Sequence, residues 1–107
     1  MGCLVVAVVA VLISFPSVEA QDDDLATAEQ LDGQVEHLYA AGKYDEAIPR
    51  ARQALSIRKQ HMGLDHPVTA NSLNNLATLY DATGDNTRAE RLYQSALGIR
   101  EKVLGQF

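Results

Sequence analysis

Cysteine, tryptophan and phenylalanine are almost missing from this chain of 107 residues, which has one Cys, no Trp and two Phe. The only cysteine is Cys3, which lies in a segment predicted below to be removed. The remaining chain therefore has no thiol for a disulfide, for thiol catalysis or for a cysteine-ligated zinc site. With so few large aromatic side chains the core must be thin, and the chain is close to the size at which small domains need extra support.

Positive charge is also in short supply. The chain has nine Lys and Arg against fourteen Asp and Glu, a net charge of −5 at pH 7. All nine basic residues follow residue 20, where they meet thirteen acidic ones, giving 9 − 13 = −4. A surface with this balance repels phosphate groups, so general nucleic-acid binding is excluded as a function.

The first twenty residues have the build of a secretory signal peptide. A run of thirteen apolar and small residues, from Cys3 to Phe15, is followed by Pro16 and Ser17 and then by Val18-Glu19-Ala20, which offers small or branched residues to a signal peptidase. We predict a signal peptide over residues 1–20 and a secreted or periplasmic protein. The alternative is a membrane anchor that stays uncleaved, although thirteen helical residues span only about 20 Å of a ~30 Å hydrocarbon core. A short acidic flank is predicted at residues 21–27.

The rest of the chain repeats itself at a spacing of 42 residues, with ten identities between residues 28 and 65. Most of the identical residues are small or apolar, as expected for a shared packing pattern. The pairs are Ala28–Ala70, Leu31–Leu73, Ala40–Ala82, Gly42–Gly84, Ala47–Ala89, Ala54–Ala96, Leu55–Leu97, Ile57–Ile99, Arg58–Arg100 and Gly63–Gly105. A period of this length is typical of stacked helical units. The predicted units are residues 28–66 and 67–107.

Each unit is predicted to contain two helices and no strand. In the second unit Leu73, Leu76, Ala77 and Tyr80 recur at i, i+3, i+4 and i+7, which is one face of a helix that Gly84 ends. A second apolar stripe follows it, comprising Ala89, Leu92, Tyr93, Ala96, Leu97, Val103 and Leu104. Paired alanines, Ala47 with Ala54 and Ala89 with Ala96, are expected where helices approach closely.

Helix boundaries are set by capping residues, glycine and proline. The first helices of the two units are predicted at about 24–41 and 67–83, with Asp24 at a helix N-terminus. Pro49 is expected in the first turn of a helix that starts near Asp45, because proline breaks a helix interior. Gly63 is expected to end that helix, and Asp65-His66-Pro67 to open the next one.

At these residues the sequence resembles a tetratricopeptide repeat of the long, kinesin-light-chain type. The motifs are SLNNLA at 72–77, AERLY at 89–93, ALGIREK at 96–102 and the connector GLDHP at 63–67. The resemblance covers nearly all of residues 28–105. It implies an α-α superhelix, a short solenoid of two helical hairpins. It also implies a non-catalytic module without a cofactor, which binds a protein or peptide partner in the concave face of the hairpins.

The same resemblance implies a role for part of the asparagine-rich motif. Asn75 precedes Leu76 and so points away from the apolar stripe, toward the expected groove, where an amide can bond to a ligand main chain. Asn71 and Thr78 lie on roughly the same face. We therefore predict a peptide-binding site at Asn71, Asn75 and Thr78. Asn74 is interpreted instead as a helix residue that is solvated or that satisfies a loop.

Charge separates the two kinds of helix. The first helices of both units contain no Lys or Arg, whereas the second helices hold most of the basic residues. If the first helices line the groove, the groove is acidic, and we expect a neutral or basic peptide as the partner. Arg58 and Arg100, which recur in both units, are interpreted as a structural ion pair or as snorkelling side chains.

No metal site or catalytic group is predicted. His61 and His66 are separated by Gly63, which disrupts the helical spacing a metal site would use, and His37 lies in the other half of the chain. The Asp22–Asp24 run is interpreted as a solvated flank rather than a calcium loop. No phosphate loop or Ser-His-Asp pattern occurs in the sequence.

The last helix raises the question of what covers it. Repeats of this type are stable when stacked, with a polar helix at each end, yet this one carries outer apolar residues. Leu97, Val103, Leu104 and Phe107 therefore predict either a longer protein or cover by a second copy or another chain. The alternatives to peptide binding are thus self-association, as a possible homo-oligomer, and a regulatory end of a larger enzyme.

Overall fold

The computed structural model describes residues 18–105, with side chains described from residue 23 onward. This part of the chain forms four helices and no strand: α1 (Val18–Ala40), α2 (Tyr44–Met62), α3 (Pro67–Ala82) and α4 (Asn86–Gly105). Consecutive helices pack against each other. We call α1 with α2 hairpin 1 and α3 with α4 hairpin 2. The all-α prediction is confirmed for these residues, whereas most of the predicted signal peptide, residues 1–17, and Phe107 lie outside them.

The first helix starts earlier than predicted. It begins at Val18, so the acidic residues 21–27 belong to the helix, and Asp24 lies well inside it rather than at its N-terminus. The Thr27 hydroxyl donates to the Asp23 carbonyl at 2.8 Å within this segment. The Asp24 carboxylate lies 3.1 Å from His61 Nε2. It therefore contacts the end of α2 instead of capping its own helix.

The two hairpins are closed by the same turn. Gly42 and Gly84 have φ angles of 75° and 89°, the left-handed region that glycine adopts without strain. In both turns the residue after glycine donates its backbone N–H to a carbonyl five positions back, from Lys43 to Leu38 at 2.8 Å and from Asp85 to Tyr80 at 2.9 Å. The prediction that these glycines end the first helix of each unit is confirmed.

The connection between the hairpins uses a histidine cap. Gly63 has φ 84° and follows the end of α2, as predicted. His66 is the N-cap of α3, where its Nδ1 accepts the Val68 N–H at 3.1 Å, and Pro67 is the first helical residue. Asp65 instead lies 3.4 Å from the ammonium group of Lys102. Pro49 is in the second turn of α2 rather than the first, because that helix starts at Tyr44.

Alanines mark the closest helix contacts. Ala47, Ala54, Ala89 and Ala96 are 0%, 1%, 2% and 0% exposed, which confirms that small residues lie where the helices approach. The predicted stripe of α3 is also buried and belongs to one core that includes residues of all four helices. The stripe of α4 is only half covered, since Tyr93, Leu97 and Leu104 stay exposed. Hairpin 2 therefore has an apolar face that the described residues do not cover.

Tyr80 packs against one arginine from each of the two second helices. Its ring is buried between hairpins, with the Arg52 and Arg88 guanidinium carbons 5.8 and 5.5 Å from the ring centroid. A guanidinium at this distance is attracted to the negative face of the ring. Two basic residues of the second helices thus stabilise the junction of α2, α3 and α4.

Candidate functional site

The first helices of the two hairpins enclose a depression of about 350 Å³. We call it the α1–α3 depression. Its lining residues are Asp32, Val35, Glu36 and Tyr39 from α1 and Asn75, Thr78 and Leu79 from α3. Two of the three predicted site residues, Asn75 and Thr78, therefore lie in one depression. It combines an apolar floor with a small number of polar groups, the composition of many ligand sites.

The position of Asn75 follows from the burial of its neighbours. Leu76 and Leu79 are 3% and 1% exposed because they pack into the core. Asn75 precedes Leu76 by one residue, about 100° around the helix, so its side chain is exposed. Within residues 23–105 the Asn75 amide makes no hydrogen bond to another side chain. Both of its donors and its acceptor are available to a ligand.

Thr78 is less available. Its hydroxyl donates to the Asn74 carbonyl at 3.0 Å and lies 3.1 Å from the hydroxyl of Tyr93. These contacts tie the wall of the depression to α4. Thr78 can still accept a hydrogen bond, but its main effect is to fix the shape of the site.

Asn71 does not line the α1–α3 depression. Its side-chain oxygen accepts a hydrogen bond from Arg100 Nη2 at 3.1 Å. When the amide of Asn74 is turned with its oxygen toward the same guanidinium, that oxygen lies 3.0 and 2.6 Å from the two terminal nitrogens. The interpretation of Asn74 as a solvated residue is therefore wrong. Both asparagines hold an arginine that comes from α4.

The equivalent arginine of hairpin 1 is buried. Arg58 is 7% exposed, and its Nη1 donates to Asp32 Oδ1 at 3.1 Å and to the Ser72 hydroxyl at 3.0 Å. Its Nη2 donates to the other oxygen of Asp32, so the ion pair is bidentate. The predicted structural ion pair is confirmed for Arg58. It joins α1, α2 and α3 at the edge of the depression.

This contact corrects the predicted charge of the groove. The prediction counted charges helix by helix, but arginine is long enough to reach from a second helix to the surface between two first helices. Asp32 is neutralised by Arg58 in this way, whereas Glu36 stays exposed on the wall of the depression. The depression is therefore weakly acidic, and a cation, Arg100, lies on the same side of α3 as Asn71 and Asn74.

Two further lining residues, Glu36 and Tyr39, were not predicted as site residues. They continue the helical spacing from Asp32 at i+4 and i+7, so they share one face of α1. The Tyr39 ring is 43% exposed and meets the Tyr44 ring edge-on at a centroid distance of 5.2 Å. The spacing could have indicated them, but hairpin 1 lacks the asparagine motif that drew attention to hairpin 2.

None of the three histidines lines the α1–α3 depression, and each has different neighbours. His61 contacts Asp24, His66 caps α3, and His37 is exposed on the outer face of α1 beside Gln30 and Gln34. Among the described residues no group of three or more His, Cys, Asp or Glu is arranged to hold a metal ion. The same residues contain no helix long and apolar enough to cross a bilayer.

Comparison with protein families identifies a match over most of the chain. A family model described as tetratricopeptide repeat matches residues 25–102, which include most of both hairpins and every residue that lines the α1–α3 depression. No match was found among the curated proteins.

Proposed function

Because the chain belongs to the tetratricopeptide repeat family, whose members are generally protein–protein interaction modules, we propose that it binds an extended peptide segment of a partner protein in the α1–α3 depression. The family is typically non-catalytic, and we propose no reaction for this chain. The repeat spacing of 42 residues supports placing it in the long, kinesin-light-chain-like subtype. Residues 1–20 support a secreted or periplasmic location, or a membrane tether if they are retained.

The free amide of Asn75 is the observation that carries the proposal. It is exposed in a depression whose floor is formed by Val35 and Leu79. An amide that both donates and accepts can pair with the main chain of an extended peptide, independent of the peptide's sequence. Thr78 supplies a wall of the site. Asn71 does not line the site, because its side-chain oxygen accepts a hydrogen bond from Arg100.

The ligand is proposed to be neutral or basic at the α1 side of the site. Glu36 is exposed there, and Tyr39 offers a partly exposed ring beside it. A carboxylate and an aromatic face together favour a lysine or arginine side chain. An acidic side chain at the same position would meet like charge.

The test compares two pools of fluorescent peptides that differ only in carrying Lys or Glu at the variable positions. We expect the full chain to bind the Lys pool more tightly, as measured by fluorescence anisotropy. Asn75→Ala should weaken binding about three- to tenfold, since a single ligand hydrogen bond contributes about 0.5–1.5 kcal/mol. Glu36→Gln should reduce the difference between the pools.

Gln60→Ala is the matched control, because Gln60 is an exposed amide residue on α2 outside the depression. It should bind both pools as the unmodified chain does. Tighter binding of the Glu pool, or equal loss in Asn75→Ala and Gln60→Ala, would refute the proposed site. An Asn75→Ala variant that binds both pools as tightly as the unmodified chain would favour the second candidate function, self-association, which the exposed apolar residues of α4 support.

A further inference from the structure

The outer face of α4 carries large apolar side chains in water. Tyr93, Leu97 and Leu104 are 39%, 56% and 72% exposed. In hairpin 1 the positions that correspond to the first two are Ala51 and Leu55, only 4% and 6% exposed, because α3 covers that face of α2. The face of α4 is therefore the equivalent of a surface that already holds a helix elsewhere in the same chain.

One stripe runs along this face at alternating spacings of four and three residues. It consists of Asn86, Glu90, Tyr93, Leu97, Arg100 and Leu104, and each of them is exposed. The spacing is that of a coiled-coil seam, which puts all six side chains in line. We call these six residues the α4 seam. It is about 27 Å long at 1.5 Å per residue.

The α4 seam can pair with an antiparallel copy of itself. Read from both ends toward position 95, it pairs Asn86 with Leu104, Glu90 with Arg100 and Tyr93 with Leu97. All three pairs are centred on position 95. Two antiparallel copies aligned at that position would therefore form each pair twice, once on each side of the axis. A surface of this kind fits a two-fold axis, where residue i meets j and j meets i.

We propose that the α4 seam docks onto the α4 seam of a second copy of this chain, antiparallel and across a two-fold axis. Glu90 then faces Arg100 of the second copy, and Tyr93 packs on Leu97 of the second copy. Leu104 of the second copy enters a depression of about 380 Å³, which Asn86, Ala89 and Tyr93 help to line. Every exposed apolar side chain of the stripe gains an apolar neighbour.

The charge of Arg100 supports a second copy of this chain as the partner of the α4 seam. Arg58 in hairpin 1 is neutralised by Asp32, but the position equivalent to Asp32 in hairpin 2 is Asn74. Asn71 and Asn74 offer Arg100 amide oxygens, which accept hydrogen bonds without cancelling its charge. Glu90 of a second copy would supply the carboxylate that Arg58 already has. The guanidinium has enough donors to keep its amide contacts at the same time.

The opposite end of the molecule argues against stacking head to tail. The outer face of α1 presents Gln30, Gln34 and His37, all exposed and polar. Gln34 accepts a hydrogen bond from Arg50 Nε at 2.9 Å, which places a cation on the same face. Placing this face on Tyr93 and Leu97 would remove polar and charged groups from water against apolar side chains, which costs free energy. Pairing α4 with α4 avoids this cost and closes the assembly as a dimer. The polar α1 faces then remain in water at both ends.

A seam of this size predicts a weak dimer. One helix pair buries less area than the roughly 1,200–2,000 Å² of standard stable interfaces. The association should therefore depend on concentration, with the dimer populated at tens to hundreds of micromolar. It does not depend on the α1–α3 depression, so Asn75→Ala should dimerise as the unmodified chain does.

The experiment is sedimentation equilibrium of the full chain and of two charge-reversed variants. Glu90→Arg and Arg100→Glu should each dimerise at least tenfold more weakly, since each places like charges opposite one another twice. An equal mixture of the two variants should regain the dimer, because both cross-chain pairs become attractive again. The double variant in one chain should also dimerise, for the same reason.

Glu101→Arg is the matched control, since Glu101 is exposed but lies beside the seam. It should dimerise normally, and circular dichroism should show all variants equally helical. A chain that stays monomeric at several hundred micromolar overturns the proposal. So does a dimer that survives both single reversals, one that Glu101→Arg weakens as much as Glu90→Arg does, or a mixture that fails to recover it.

Discussion

Hairpins 1 and 2 place an arginine at equivalent positions but surround it differently. Arg58 is buried between three helices and forms a bidentate pair with Asp32. Arg100 is exposed and contacts the amides of Asn71 and Asn74. The arginine at this position is therefore buried in a contact between helices in hairpin 1 and lies on an exposed surface in hairpin 2. The difference shows which arginine is used in the packing of the fold and which is open to a further contact.

The apolar neighbours of the two arginines differ in the same way. Leu55 is 6% exposed under α3, whereas Leu97, its equivalent, is 56% exposed. The two leucines are identical in sequence but differ in burial. Leu55 is covered by the helix that follows it, whereas no described helix covers Leu97. A repeat pattern predicts which residues can pack against a neighbouring helix. Whether that packing stabilises the protein depends on whether a neighbouring helix is present.

The largest expected effect comes from truncating these two leucines. Leu55→Ala should lower the free energy of unfolding by about 3 kcal/mol, because it leaves a cavity in the core. Leu97→Ala should lower it by less than about 0.5 kcal/mol, as for other exposed positions. Urea denaturation followed by far-UV circular dichroism, at a few micromolar so that any dimer is dissociated, measures both.

Equal losses in the two leucine variants would mean that α4 is covered in solution even at low concentration. Leu97→Ala would then report an interface rather than a free surface. Leu97→Gln is a useful companion, because it keeps the size of the side chain and changes only its polarity.

The second comparison removes the partner of each arginine. Asp32→Ala should cost about 2 kcal/mol, since it leaves the buried Arg58 charge without its carboxylate. The figure is below that for a fully buried pair because the Asp32 side chain is 33% exposed. Asn74→Ala should cost under about 0.5 kcal/mol, because Arg100 can be solvated instead. The same urea titrations give both values.

A control separates the ion pair from helix propensity. Glu36→Ala introduces alanine at another exposed acidic residue of α1. Its effect should be close to zero. A loss in Glu36→Ala comparable to that in Asp32→Ala would attribute the cost to the helix rather than to Arg58.

Much of the helical framework could be predicted from the sequence, for reasons that are local. The apolar spacing of Leu73, Leu76 and Tyr80 defines one face of α3, and Gly42 and Gly84 adopt the positive φ angles that end helices. The exposure of Asn75 follows from the same helical geometry. These features depend only on residues a few positions apart.

The arginine contacts could not be predicted in this way, because they join residues 26 to 29 positions apart. The sequence indicated a structural ion pair or a snorkelling side chain at Arg58 and Arg100, but not which residues they contact. Their long side chains reach Asp32 and Asn71 on the first helices. The early start of α1 could not be predicted either. Its acidic run is expected to be solvated in a helix and in a loop alike, so the pattern does not distinguish the two.

The smallest effect is expected from giving hairpin 2 the residue of hairpin 1. Asn74→Asp should raise the free energy of unfolding by about 0.5 kcal/mol, the usual contribution of an exposed ion pair. The gain should shrink at high salt, where such pairs are screened. The same change should weaken the proposed α4 dimer, because Arg100 would have a carboxylate in its own chain and less need of Glu90 from a second copy. Opposite signs in urea denaturation and sedimentation would show that one arginine serves two competing partners. No change in either would mean that the amides of Asn71 and Asn74 already satisfy Arg100, and that the contrast between the hairpins has no energetic consequence there.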